Sequence, residues 1–284
     1  MANLKEIKKR IQSIHSTMQI TSAMKMVSAS KLKKAQNATE QLRPYTEKLK
    51  NLIVAATGST QTVLPLMTQR PLQKVLIIAI SSNRGLCGAF NNNIIKETLR
   101  QQNLYPQVEV LAFGKKAFDG LNKKVNFPNQ PFDAKDYNIF EDFNFNKVRH
   151  IARLATDAFL NQKYDGVLVI YNHFKNVMTQ MVKTEHFLPL QSLGNQHEET
   201  DYLFEPGKQE LLEQLIPKAL YTHLYSLFLD HLAAEHAARM TAMHKATDNA
   251  KELKKHLTIA FNKARQAAIT QEISEIVSGA QALQ

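Results

Sequence analysis

The sequence predicts an α/β protein built as a long antiparallel coiled coil of its N- and C-terminal helices plus a central Rossmann-like α/β domain. Three observations carry this reading. The first is where the helix-breaking residues fall. Residues 1–57 contain no glycine and only Pro44, and residues 208–278 contain no glycine and only Pro217. Eight of the nine glycines and seven of the nine prolines lie in 58–207. Gly and Pro punctuate turns and break helices. The chain therefore divides into an N-terminal coiled-coil helix (1–57), an α/β domain (58–207) and a C-terminal coiled-coil helix (208–284). The second observation is apolar spacing at the two ends, and the third is an alternation of apolar runs and helical stretches between them.

In the first helix Leu4, Ile7, Ile11, Ile14 and Met18 recur at steps of three and four. In the last, Met240, Met243, Ala250, Leu253, Leu257, Ala260, Ala264 and Ala267 keep that phase, with Thr247 filling the gap. Such steps average 3.5, the period of a supercoiled seam. At 1.5 Å per residue the two segments would be about 80 Å and 105 Å long, too long for one small core. Neither can bury its stripe alone. Pairing the two ends is the economical solution, and two helices of a wide bundle are the alternative.

Between them, QKVLIIAI (73–80) is a near-continuous apolar run, as expected of a strand buried on both faces. A glycine-bearing turn, SSNRGLCGAFNNN (81–93), leads into a helix starting IIKETLR. QVEVLAF (107–113) reads as a second strand, followed by a short helix around Lys115–Leu121. FNKVRHIARLATDAFL (145–160) has helical periodicity, and YDGVLVIYNHF (164–174) is a third buried strand. VMTQMVKTEHFLPL (177–190) alternates and reads as an antiparallel partner. This order indicates a sheet with Rossmann-like winding.

Composition and charge remove several function classes. A single cysteine among 284 residues excludes an internal disulfide framework. No run approaches the ~18 apolar residues of a membrane span, and MANLKEIKKR has no apolar stretch behind its charges, so a soluble intracellular protein without a secretory signal is expected. The net charge of +11 is concentrated in residues 1–57, with 11 Lys+Arg against 3 acids. A basic helix of this kind is either a solvated face or a surface for an acidic partner. Nucleic acid is not expected as that partner, because Tyr45 is the only aromatic residue there.

Chemistry is equally sparse. The turn at 81–93 has Gly85 and Gly88 but no third glycine and no Lys-Ser/Thr, so it is neither a dinucleotide fingerprint nor a P-loop. A structural strand–helix turn is the simpler reading, and Arg84 there could meet a protein partner. Cys87 reads as a small buried thiol. His231 and His236 lie five apart, on different helix faces, and no HExxH occurs. No catalytic residue, cofactor-binding residue or metal ligand is expected on this chain. An α/β nucleotide-binding enzyme with coiled-coil oligomerisation arms remains the alternative.

Four segments carry a resemblance that covers essentially the whole chain: TSAMKMVSASKLKKAQ (21–36), SSNRGLCGAFN (81–91), AARMTAMHKATDNA (237–250) and NKARQAAITQEISEIVSGA (262–280). Together they resemble the γ-subunit family of the rotary F-type ATP synthase. Asn83 stands where Asp is expected and Ala89 where Gly is also common. The cysteine-bearing insertion of the chloroplast form is missing, so no thiol switch is expected.

The resemblance implies a non-catalytic central shaft whose coiled coil stands inside a ring of α and β subunits. Its α/β domain would form a foot on the membrane c-ring beside ε. Proton flow would turn ring and shaft, driving ATP synthesis at β. Mg-ATP and Mg-ADP would be bound by those partner subunits, with no cofactor on this chain. It also implies a peripheral position, without membrane insertion, on the cytoplasmic face of a bacterial inner membrane. Residue by residue, it puts Met24 and Lys25 at the rotor–stator contact, Arg265 and Gln266 at a catch contact with β, and Arg239, Gln271 and Ser274 on the matching coupling surface. Glu205 would face the polar loops of the c-ring. The uncharged stretch from Ile276 to Gln284 fits an apolar bearing.

Overall fold

The apolar run after Lys74 becomes the centre of a four-stranded sheet. The computed structural model describes residues 2–57, 65–128, 139–141, 143–190 and 207–282. Along the chain come α1 (Ala2–Thr57), a short turn of 3₁₀ helix (Pro65–Met67), β1 (Lys74–Ile80), α2 (Phe90–Gln102), β2 (Gln107–Phe113), α3 (Lys115–Leu121), α4 (Phe145–Leu160), β3 (Gly166–Phe174), β4 (Gln180–Leu188) and α5 (Lys208–Ala282). Pro44 and Pro217 both lie inside helices. The described residues form two compact units: Ala29–Ala238, and Met1–Ser28 with Arg239–Gln284.

In the first unit the strand order is β2-β1-β3-β4. β1 is parallel to β2, with Ile78 opposite Leu111, and parallel to β3, with Ile77 opposite Leu168. β4 returns antiparallel to β3, Tyr171 facing Lys183, as the alternation in 177–190 predicts. Side chains alternate across a strand, and here both faces are covered. Leu76, Ile78, Ile80, Phe113 and Val169 pack with Val148 and Ile151 of α4, Leu49 and Ile53 of α1, and Leu220, Leu224 and Phe228 of α5. On the opposite face Val75, Ile77, Ala79 and Ile170 pack under Ile94 of α2 and Ala117 and Leu121 of α3. Burial on both faces is why β1 reads as an unbroken apolar run rather than an alternating one.

In the second unit two contacts fix how the long helices pair. Thr247 Oγ1 donates to Thr21 Oγ1 at 2.8 Å, and Lys254 Nζ donates to His15 Nδ1 at 3.3 Å. Seven residues forward on α5 match six residues back on α1, so the pairing is antiparallel. The expected seam of α1 is shielded in the structure: Leu4, Ile7, Ile11, Ile14 and Met18 are partly buried, and Thr21 is buried.

The seam of α5 differs from the sequence expectation. Met243, Thr247, Ala250, Leu257 and Ala264 are shielded as expected, but Leu253, Ala260 and Ala267 are exposed, and Lys254, Phe261 and Ala268 are shielded instead. Both phases share one heptad position and differ in which flank joins it. The register decides: Lys254 is fixed opposite His15, which sets Leu257 level with Ile11 and Phe261 level with Ile7. Lys254 can occupy a seam because its aliphatic stem packs while the ammonium reaches the edge.

Candidate functional site

In an open α/β sheet the natural ligand position is the crevice at the carboxyl ends of the strands, where the strand order reverses. Here that position lies between the ends of β1 and β3. Both elements turn their polar groups inward. Ser82 N–H donates to Asn91 Oδ1 (3.0 Å), Asn91 Nδ2 donates to Ser82 Oγ (2.9 Å), and Ser82 Oγ donates to the Arg84 carbonyl (2.6 Å). Ser81 Oγ accepts the Ala117 N–H at 2.7 Å. Gly114 permits this close approach, since it sits at φ +90° and a Cβ there would lie 2.2 Å from the Ser81 carbonyl oxygen.

α5 fills the space that remains. Ala234 and Ala238 pack on Cys87, Phe90 and Phe174. Asp230 accepts the Phe174 N–H at 3.0 Å and pairs with His173 Nδ1 at 2.6 Å. His231 Nδ1 accepts the Asn172 N–H at 3.3 Å, and its ring lies 5.0 Å from that of Phe90. His231 is wholly buried, and that burial, only partly offset by the nearby Ser81 backbone, lowers its pKa to about 3. Its imidazole is therefore neutral, with Nδ1 as the acceptor and Nε2 carrying the proton. The chain's own helix occupies the crevice a dinucleotide would need. Sequence reasoning weighed His231 only as a metal ligand and passed over Asp230, although a charged and a titratable residue inside the apolar run LFLDHLAA is the signal that could have found their role.

A second cleft, of about 620 Å³, opens between the end of α1, β4 and α5. Its polar wall is a clamp. Glu185 on edge strand β4 lies 2.8 Å from His223 Nε2 of α5 and accepts from Tyr171 Oη at 3.2 Å. The His223 hydrogen bond holds the Glu185 carboxyl below the usual range despite its partial burial. The cluster ties β4 to α5.

The other candidate surface is the far end of α5. Carried forward, the pairing register places the start of α1 level with about residue 266 of α5. The remaining turns, through Ala282, continue past the partner helix, and residues 269–281 are all exposed. They include Ile269, Ile273, Ile276 and Val277, with Ile276 71% exposed. Arg265 and Gln266 stand exposed where the pairing ends, and Gln271 and Ser274 stand exposed beyond it, Gln271 donating to Glu275 at 3.0 Å. Met24 and Lys25 are half-buried on α1, beside the exposed Ile20, Met26 and Val27. Arg239 is set apart from the others, being only 7% exposed. Glu205 lies outside the described residues.

Among the described residues no group of three or more His, Cys, Asp or Glu is placed to hold a metal ion, and no helix is long and apolar enough to cross a membrane.

Comparison with known proteins covers the full length. Residues 3–283 match the ATP synthase family. The chain is 53% identical to the ATP synthase gamma chain of Flavobacterium psychrophilum, with all of this chain and 99% of that one covered. It is 43% identical, with the same coverage, to the ATP synthase gamma chain of Cytophaga hutchinsonii. Among solved structures it is similar to a chain of the central stalk and c-ring of Tetrahymena thermophila mitochondrial ATP synthase. That match has 28% identity and a TM-score of 0.56 over 80% of this chain and 99% of that one. A chain from Euglena gracilis mitochondrial ATP synthase in rotational state 3 shares the fold. Its TM-score is 0.66 at 19% identity, over 99% of this chain and 95% of that one.

Proposed function

The chain belongs to the ATP synthase gamma-chain family, and from that membership we propose that it is the turning shaft of a rotary ATP synthase. Proton flow through a membrane c-ring turns the α/β unit, and the coiled coil carries that rotation into a head of α and β subunits. Catalysis and Mg-nucleotide binding reside on those partners. The chain itself supplies shape, stiffness and contacts. Glu205 faces the c-ring and ε sits beside the α/β unit, which places the protein peripherally on the cytoplasmic face of a bacterial membrane.

The observation that carries this reading is the unpaired end of α5. The last sixteen or so residues of α5 continue a long helix and present isoleucines with no partner from α1. A sleeve in the assembled head gives that surface a counterpart. Arg265 and Gln266 stand at the mouth of the sleeve as the catch, with Gln271 and Ser274 further in and Met24 and Lys25 on the shoulder. Arg239 belongs to the same coupling surface, with most of its side chain already covered within this chain. The filled crevice at the ends of β1 and β3 weighs against the nucleotide-binding enzyme.

The test is to tag the chain in its native cell, solubilise membranes gently and assay Mg-ATPase activity in the purified material. Co-purification with two larger nucleotide-binding subunits and ATPase activity is expected. Recovery of the chain only with itself, and no ATPase, overturns the reading.

A further inference from the structure

The outer face of α4 carries a set of side chains that the shaft reading does not use. Asn146, Arg149, His150 and Arg153 lie within two turns of one another and, with Tyr221 of α5, line a concavity of about 440 Å³. The opposite face of α4, from Val148 to Phe159, is packed on the sheet, so folding does not require this grouping.

Its charges are of one sign and close together. Arg149 and Arg153 are four residues apart on one helix face, where like charges repel. Among the described residues Arg149 has no hydrogen bond or ion pair. Arg153 reaches only Asp157, at 3.7 Å with both side chains more than half exposed, a contact of little strength. The Tyr221 hydroxyl lies in the field of the same groups: burial and Asp157 raise its pKa while Arg153 and Arg149 oppose the rise. The phenol therefore stays protonated and available as a donor. Two guanidinium forks, a phenol, an amide and an imidazole thus belong to the residues lining one concavity, near the positive end of α4.

We propose that this concavity is a binding site for a phosphate-type dianion. Guanidinium groups recognise tetrahedral oxyanions through paired, charge-assisted hydrogen bonds. Two of them a turn apart can grip two edges of one phosphate, with Tyr221 and Asn146 donating to the remaining oxygens. The chemistry is shared by free phosphate and by the phosphomonoester headgroup of an acidic lipid. The site stands independently of the rotary reading.

The test uses the full-length chain, immobilised sparsely through a tag, and radiolabelled inorganic phosphate at constant ionic strength. Saturable binding is expected, weakened about tenfold or more in R149Q/R153Q and less in Y221F. K33Q/K34Q, which removes the same charge from exposed positions on α1, should bind as the parent does. A second arm compares vesicles of phosphatidylcholine with and without phosphatidic acid. Binding only to the acidic vesicles, lost in R149Q/R153Q, supports the site and identifies the headgroup as its source. Unsaturable binding in both arms, or equal losses in R149Q/R153Q and K33Q/K34Q, overturns it. Circular dichroism on each variant separates loss of the site from loss of the fold, and the co-purification result is unaffected by either outcome.

Discussion

Two stretches of α5 both carry large apolar side chains and meet opposite fates. Between residues 224 and 238, Leu224, Phe228, Ala234 and Ala237 are 0% exposed. Between residues 269 and 281, Ile269, Ile273 and Ile276 are 47%, 56% and 71% exposed. Helix propensity does not distinguish them, since both are continuous helix. The difference is whether the chain supplies its own partner. In the first stretch the apolar side chains are used up by the sheet, and in the second they are left for another molecule. An exposed apolar surface of this kind marks an interaction site, and mutation should separate the two stretches cleanly.

The largest contrast is between truncations. Phe228 sits among the rings of Phe113, Phe140 and Phe143, with centroids at 5.4, 5.9 and 6.1 Å. Phe228→Ala should cost about 3–5 kcal/mol in urea unfolding of the full chain. Ile276→Ala should change that stability by less than about 0.5 kcal/mol and instead lower ATP synthesis in the assembled complex. A comparable loss of stability from both variants would erase the distinction.

Acid should act on the filled crevice and spare the free end. His231 has a folded-state pKa of about 3, against about 6.5 when unfolded. Between these values the unfolded chain binds a proton that the folded chain refuses. This contribution is fully present above pH 6.5 and is lost as pH falls towards 3, at up to about 1.4 kcal/mol per pH unit. By pH 5 the loss is about 2 kcal/mol from this residue. His231→Gln, which keeps an acceptor for the Asn172 N–H, should flatten the slope of the urea midpoint against pH. An unchanged slope would show that other groups govern the acid limb.

At the end of the pairing the expected effect is on turnover. Arg265→Ala with Gln266→Ala removes two exposed side chains, so the melting temperature of the chain should hold. Loss of about 1.4 kcal/mol of coupling contact corresponds to about a tenfold fall in ATP synthesis by the assembled complex. Normal synthesis rates in that variant would remove the catch from these two residues.

Much of the fold was legible because its signals are local. Glycine and proline distribution marked the long helices, and unbroken apolar runs marked strands buried on both faces. The covering of the crevice was not legible, because it depends on α5 meeting β1 and β3 across long sequence separations. Asp230 and His231 look like surface residues until the backbone N–H groups of Phe174 and Asn172 are placed beside them. On the candidate surface, Arg265, Gln266, Gln271 and Ser274 are exposed. The burial of Arg239 could not be read from its position in AARMTAM.

The phase of the α5 seam is where periodicity alone misled, and it offers the smallest but most discriminating test. Steps of three and four leave two choices once Met243, Ala250, Leu257 and Ala264 are on the seam. The flank can be Leu253, Ala260 and Ala267, or Lys254, Phe261 and Ala268. Hydrophobicity at the first position favours Leu253, yet it is 51% exposed, and Lys254 takes the seam beside His15. The antiparallel register set by Thr21 and Thr247 overrides that single preference and in return shields Phe261. Leu253→Lys should therefore shift stability by no more than about 0.5 kcal/mol. Phe261→Ala should cost more, about 1–2 kcal/mol, because a half-buried ring loses only part of the value of a fully buried one. Thermal unfolding followed by helical circular dichroism measures both. If Leu253→Lys proves the more damaging, the seam runs along the other flank and Lys254 belongs outside it.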